Sequence, residues 1–194
     1  MRNARPHQSH LPRLDPGAYR GLAMVHWTHT FEDRAAGWLE DRFHHRFREL
    51  LLHAAARHPL VCPVYCLMPD HIHMVWCGLS PATDQRSAMA WLRTWLKRIV
   101  KPARLQAQPH DHVLDSTESE RETFENACFY VWQNPVRRGL VEKAADWKFT
   151  GTVLPGYPGL HPKMSDFWKE FWKVYRLLLA KHEGGGRKDG PPHR

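Results

Sequence analysis

Two histidines one residue apart, His71 and His73, sit in the stretch MPDHIHMVW directly after a Pro-Asp pair and inside an apolar run. On a strand, residues i and i+2 project from one face, so both imidazoles point together while Ile72, Met74 and Trp76 face the opposite layer. Two neutral imidazoles held side by side can bind a divalent ion, and a single further protein ligand leaves open positions for a substrate oxygen. The same pattern also fits two half-buried histidines hydrogen-bonded to backbone.

A second group with chemical potential is Tyr130 in ENACFYVWQNPVRRGLV. Helical spacing puts Asn126, Tyr130, Gln133 and Asn134 on one polar stripe and turns Phe124, Ala127, Cys128 and Val131 elsewhere. On spacing alone, a tyrosine there fits first of all an amphipathic core residue with its hydroxyl at the surface. A third group, His110, Asp111 and His112 in PHDHVL, would as a strand set both imidazoles on one side and the carboxylate on the other. It could host a second metal, assist a first metal site, contact phosphate or serve structure.

The elements that must position these groups follow from periodicity. Tyr19 to Phe31 is β-prone, and Trp38 to Arg57 carries Leu39, Phe43, Phe47, Leu50 and Leu51 at helical spacing. LVCPVYCLMPDHIHMVWCGL reads as a hairpin turning at Pro69-Asp70, with Pro63 marking an edge or a bulge. A second helix, DQRSAMAWLRTWLKRIVKPARL, places Met89, Leu92, Leu96 and Ile99 on one stripe. Glu118 to Gln133 form a third, ended by Pro135. Ser165 caps a fourth, with Phe167, Phe171, Trp172 and Tyr175 along one face. The sum is an α+β domain, an antiparallel sheet with helices packed on it. Residues 1–17 and 184–194 are expected to be disordered, flanking a domain over 18–150 and a C-terminal extension over 151–183 with its aromatic helix.

Across 194 residues, 28 Lys and Arg against 20 Asp and Glu give a net charge of +8, a balance that points to an anionic partner, above all nucleic acid. Arg86, Arg93, Lys97, Arg98, Lys101 and Arg104 line the second helix beside Trp91 and Trp95, a combination suited to a phosphate backbone with unstacked bases or to a solvated face. Arg137, Arg138 and Lys143 follow Tyr130 closely and suit phosphates near a reacting centre. Cys62, Cys66, Cys77 and Cys128 form no C-x-x-C pair and read as reduced core thiols of a cytoplasmic protein. There is no apolar run of membrane-spanning length and no secretory h-region, so no membrane partner is expected.

YCLMPDHIHMVW followed by FYVWQNPVRRGLV resembles the HUH single-tyrosine transposases, in particular the REP-associated tyrosine transposases. The resemblance covers roughly Tyr19 to Thr150 and implies a ferredoxin/RRM-like fold with His71, His73 and Asn134 as ligands to Mg²⁺ or Mn²⁺. It implies Tyr130 as nucleophile, a 5′-phosphotyrosine intermediate and a released 3′ hydroxyl that can later rejoin strands. The implied substrate is single-stranded DNA near REP-like hairpins, handled by a monomer or homodimer. Two positions depart from the pattern: Asp115 where the family often has Arg, and Arg137-Arg138 where Arg-Ala is usual. A non-cleaving hairpin-binding protein that keeps the fold is the alternative the sequence leaves open.

Overall fold

A computed structural model of the chain describes residues 14–114 and 120–184. The elements run β1 (Met24–Thr30), α1 (Asp41–Arg57), β2 (Leu60–Met68), β3 (His71–Gly78), α2 (Gln85–Ile99), β4 (His110–Val113), α3 (Glu120–Trp132), α4 (Asn134–Arg137), β5 (Thr150–Val153) and α5 (Phe167–Gly184). The five strands form one sheet in the order β4-β1-β3-β2-β5, and every pairing is antiparallel. The first four strands and two helices make the βαββαβ unit, to which β5 adds a strand beside β2.

The β2–β3 hairpin closes through a two-residue turn, Pro69-Asp70, that pairs Met68 with His71. Pro63 has no N–H to give the ladder, and the register of β2 shifts between Val61 and Val64 against β3. Along β3 the alternation expected from the sequence holds. Ile72, Met74 and Trp76 join Trp27, Tyr65 and Leu67 beneath Phe43, Phe47 and Leu51 of α1 and Met89, Leu92 and Leu96 of α2. Val75 and Cys77 join Val64, Cys66 and Met68 on the reverse face, beneath Phe124, Cys128 and Val131 of α3 and the α5 residues Phe167, Phe171 and Tyr175. Each layer therefore buries one side of the same sheet.

The aromatic helix α5 has a defined job in this packing. Phe171 stacks on Phe124, Trp172 donates to Glu125 Oε1 at 2.6 Å, and the Tyr175 hydroxyl donates to Gly78 O at 2.8 Å. It thus ties α3 to the centre of the sheet. All four cysteines are buried thiols without a disulfide. Among the described residues no helix is long and apolar enough to cross a membrane.

Several boundaries differ from the sequence reading. The strand begins at Met24, because Pro16–Tyr19 form a 3₁₀ turn capped by Asp15 and Gly21 has a left-handed backbone (φ 65). The first helix begins at Asp41 rather than Trp38. The expected boundary at 150 falls at the start of β5, which pairs with β2. The expected tails lie outside the described residues over 1–13 and beyond Gly184, and so do Asp115 and the first two positions of the expected third helix.

Candidate active-site cleft

On the α3 side of the sheet, three strands offer a row of polar side chains. Register sets Thr28 opposite His73 and Thr30 opposite His71 across β1 and β3, and Thr28 opposite His110 across β1 and β4. The helix pair α3–α4 rises beside this row. Thr28, Thr30, Arg34, His71, His73, His110, Tyr130, Asn134, Arg137 and Arg138 together line a cleft of about 400 Å³.

The two imidazoles face each other, with His71 Nε2 and His73 Nε2 2.9 Å apart. Their other nitrogens are held by protein groups: His71 Nδ1 lies 2.6 Å from Asp70 Oδ1, and His73 Nδ1 lies 3.0 Å from His26 Nε2 and 3.1 Å from Thr28 Oγ1. Burial pushes His73 down to about 2, reinforced by the charges of His26 and His71 when protonated. Burial lowers His71 as well, opposed by its hydrogen bond to Asp70. For Asp70, partial burial works against the carboxylate, but the His71 hydrogen bond and the Arg34 charge hold it below the ordinary range. Both imidazoles are therefore neutral near pH 7, the state a metal requires.

This donor set fits a divalent ion. Two ligand atoms about 2.1 Å from an octahedral ion in adjacent positions are roughly 3 Å apart, which the Nε2 pair already satisfies. Asn134 is buried and its Nδ2 donates to Tyr130 O at 3.1 Å, so Oδ1 is the atom left for a cation. Among the described residues no group of three His, Cys, Asp or Glu is arranged to hold a metal, so a third protein ligand here would have to be another oxygen donor of the cleft, such as the Asn134 amide or a threonine hydroxyl. Imidazole with amide oxygen suits Mn²⁺ and tolerates Mg²⁺.

Tyr130 sits near the end of α3, 46 % exposed. Its ring meets His26 edge-on with centroids 6.5 Å apart, and the Arg137 guanidinium covers it at 4.1 Å. The chain brings that arginine back because Pro135 interrupts α3 and starts the short α4, which Gly139 then ends in a left-handed conformation (φ 65). Leu140 N bonds Pro135 O, closing the turn and leaving Arg137 and Arg138 exposed at the cleft.

Other residues singled out in the sequence go elsewhere. His110 reaches the cleft, whereas Asp111 points to the other side and accepts from the Tyr19 hydroxyl, and His112 pairs with His26 across the strands. Lys143 is exposed and precedes the 3₁₀ turn Ala144–Asp146. Lys97, Arg98 and Lys101 are exposed on the α2 layer, behind the sheet, where Lys101 shares a groove with Arg42 and Arg46. Arg93 corrects the expectation of a DNA contact. It is 8 % exposed and bonds His29 Nδ1 at 2.8 Å, Gln106 O at 2.6 Å and Ala107 O at 3.0 Å, so its guanidinium clamps the strand-entry loop. His26, Thr28, Thr30 and Arg34 were missed. The first three were visible as alternating polar residues in HWTHT, while nothing local marks Arg34.

No family model matches the chain. It is 26 % identical over 140 residues to a Haemophilus influenzae protein provisionally named a REP-associated tyrosine transposase, covering 66 % of this chain and 78 % of that one. It is 25 % identical over 122 residues to the Escherichia coli K12 REP-associated tyrosine transposase, covering 59 % and 70 %. A solved REP-associated tyrosine transposase bound to a REP hairpin superposes with a TM-score of 0.61 at 19 % identity, over 74 % of this chain and 82 % of that one. This chain is a homologue of the REP-associated tyrosine transposases, related to them in sequence and sharing their α+β fold.

Proposed function

We propose that the protein is a metal-dependent DNA transesterase, transposase-like, that cuts and rejoins single-stranded DNA beside a hairpin through a covalent link to Tyr130. One observation supports this above the others: the phenol, two facing imidazole nitrogens, a buried amide and three arginines line a single cleft. A phosphodiester resists attack because its oxygens are anionic and its leaving alkoxide is poor, so charge must be neutralised and the nucleophile held in line.

Mg²⁺ or Mn²⁺, held by His71, His73 and Asn134, would supply Lewis-acid neutralisation of a scissile phosphate oxygen. Arg137 over the Tyr130 ring holds the phenol in place at the cleft. Arg138 and Arg34 line the same cleft and suit the non-bridging oxygens, while His110 faces the phosphate chain from the β4 edge. The phenol oxygen attacks phosphorus as its proton leaves, the bond to the departing 3′ oxygen breaks, and that oxygen takes up a proton as a 3′ hydroxyl. Reversal by the same or another 3′ hydroxyl rejoins strands with no external energy.

A hairpin partner is carried over from the solved relative bound to one. The cationic grooves behind the sheet suit its stem. Lys97, Lys101 and Arg104 line one, and Glu32 N bonds Arg104 O, so they approach the same sheet end as Arg34. The test is incubation with end-labelled REP-like hairpin oligonucleotides and Mn²⁺. An SDS-resistant protein–DNA adduct that Tyr130→Phe abolishes supports the reading. Tight hairpin binding with no adduct leaves a binding module, and cleavage that survives Tyr130→Phe leaves a hydrolase.

A further inference from the structure

A chain of contacts runs along the cleft wall from Arg34 through Asp70 to the two imidazoles. Arg34 Nη1 lies 3.1 Å from Asp70 Oδ2, Asp70 Oδ1 lies 2.6 Å from His71 Nδ1, and His71 Nε2 lies 2.9 Å from His73 Nε2. We infer that Asp70 and Arg34 are a positioning pair that pins His71 as its Nδ1–H tautomer and so keeps the Nε2 lone pair turned into the cleft. The inference rests on the reading of His71 as a metal ligand and deepens it.

Proton bookkeeping leads to this assignment. An ionised carboxylate only accepts, so a 2.6 Å contact to Asp70 puts the single proton of neutral His71 on Nδ1. His71 Nε2 is then an acceptor, and the contact at 2.9 Å makes His73 the Nε2–H donor in the metal-free protein. His73 Nδ1 in turn accepts from Thr28 Oγ1 or His26 Nε2. The two histidines are therefore unequal. His71 already presents a lone pair, whereas His73 must move its proton from Nε2 to Nδ1 before both can face a cation. Thr28 can follow that change, since a hydroxyl donates or accepts by rotating.

Arg34 is anchored for the role by its backbone. Asp33 and Arg34 both adopt left-handed φ values of 52° and 53°, a conformation uncommon outside glycine. The turn is fixed at both ends: Phe31 N donates to Asp70 O at 3.2 Å, Arg34 N to Phe31 O at 3.2 Å, and Glu32 N to Arg104 O at 2.8 Å. Phe31 is buried and stacks on Trp38 with centroids 4.3 Å apart. A packed ring thus sets where the turn carries the guanidinium, across the hairpin turn from the carboxylate. A carboxylate behind a ligating imidazole orients the ring and raises its basicity, and losing such a partner lowers metal affinity by roughly 10- to 100-fold.

The experiment is ¹⁵N NMR of ring-labelled metal-free protein, followed by Mn²⁺ titration of wild type, Asp70→Ala, Asp70→Asn and Arg34→Gln. In the wild type, His71 is expected as Nδ1–H and His73 as Nε2–H, with His73 alone switching on addition of Mg²⁺. Asp70→Ala should mix the His71 tautomers and weaken Mn²⁺ binding by roughly 10- to 100-fold. Asp70→Asn, which keeps an acceptor oxygen, should retain the tautomer and restore most of the affinity; Arg34→Gln should cost severalfold. His71 found as Nε2–H in the wild type overturns the pin whether or not any variant folds. So does wild-type Mn²⁺ affinity in both Asp70 variants. A pinned His71 in a protein that binds no Mn²⁺ would instead remove the metal reading and leave the tautomer assignment intact.

Discussion

The two faces of the sheet both carry histidine and arginine, with opposite fates. On the α2 side, His29 is fully buried between Arg93 Nη1 at 2.8 Å and Met89 Sδ at 3.1 Å, and Arg93 is closed off by two backbone carbonyls. On the α3 side, the Nε2 atoms of His71 and His73 have each other, and the arginines nearby remain exposed at a cleft. Identical residue types thus give a clamp on one face and a candidate reactive centre on the other. The difference lies in whether the polar groups are enclosed in the core or open onto a cleft, which no count of charged residues reveals.

The largest expected effect is at Tyr130. Tyr130→Phe removes one oxygen from an exposed ring, so melting temperature should be unchanged while adduct formation falls by about 10³-fold or more, read on denaturing gels. His73→Ala should follow, with cleavage reduced on the order of 10²-fold and Mn²⁺ affinity lost in calorimetry. Either variant retaining full activity would erase the distinction between the faces.

The clamp face predicts the reverse. Arg93→Ala leaves His29 Nδ1 and the carbonyls of Gln106 and Ala107 without their partner, at a cost of about 3 kcal/mol in chemical denaturation. Mn²⁺ affinity should stay within about twofold, because the change lies behind the sheet.

Acid should also reveal the sealed imidazoles. Burial, with Arg93 beside it, pushes His29 down to about 3, and burial with Arg48 and His45 holds His44 at about 4, against 6.5 for an ordinary histidine. The unfolded chain then takes up protons that the folded chain refuses. Stability is complete above about pH 6.5 and falls as pH drops through 4. Thermal melts between pH 7.5 and 4 check the sign; a melting temperature that rises on acidification contradicts it.

The smallest effect belongs to Lys97 and Lys101. Each alanine replacement should lower the slope of log affinity against log salt for hairpin DNA by about 1, with adduct chemistry at saturating DNA unchanged.

Much of this contrast was legible in the chain and some was not. H-x-H on a strand fixes which side the imidazoles take, because a period of two leaves no freedom, and β3 follows it residue by residue. Helical spacing carried from α3 into α4 places Tyr130 and Asn134 one turn apart for the same reason. Arg93 misled because a basic residue reads as solvated until its hydrogen-bond partners are known, and those lie on β1 and the loop before β4. Arg34 escaped notice because its reach depends on two left-handed residues and a packed Phe31, features set by tertiary contacts. The aromatic stripe of α5 was clear, but only packing shows that it ties down the helix bearing Tyr130.

The central claim is that the Tyr130 ring and a cation between His71 and His73 share one small volume. Paramagnetic broadening by bound Mn²⁺ in fluorotyrosine-labelled protein reads that proximity directly, since it falls steeply with distance and needs no DNA. The Tyr130 signal, assigned by its loss in Tyr130→Phe, should broaden more than those of Tyr19, Tyr65, Tyr157 and Tyr175. If Mn²⁺ binds through the two histidines and another tyrosine broadens most, nucleophile and metal do not meet and the transesterase account is wrong.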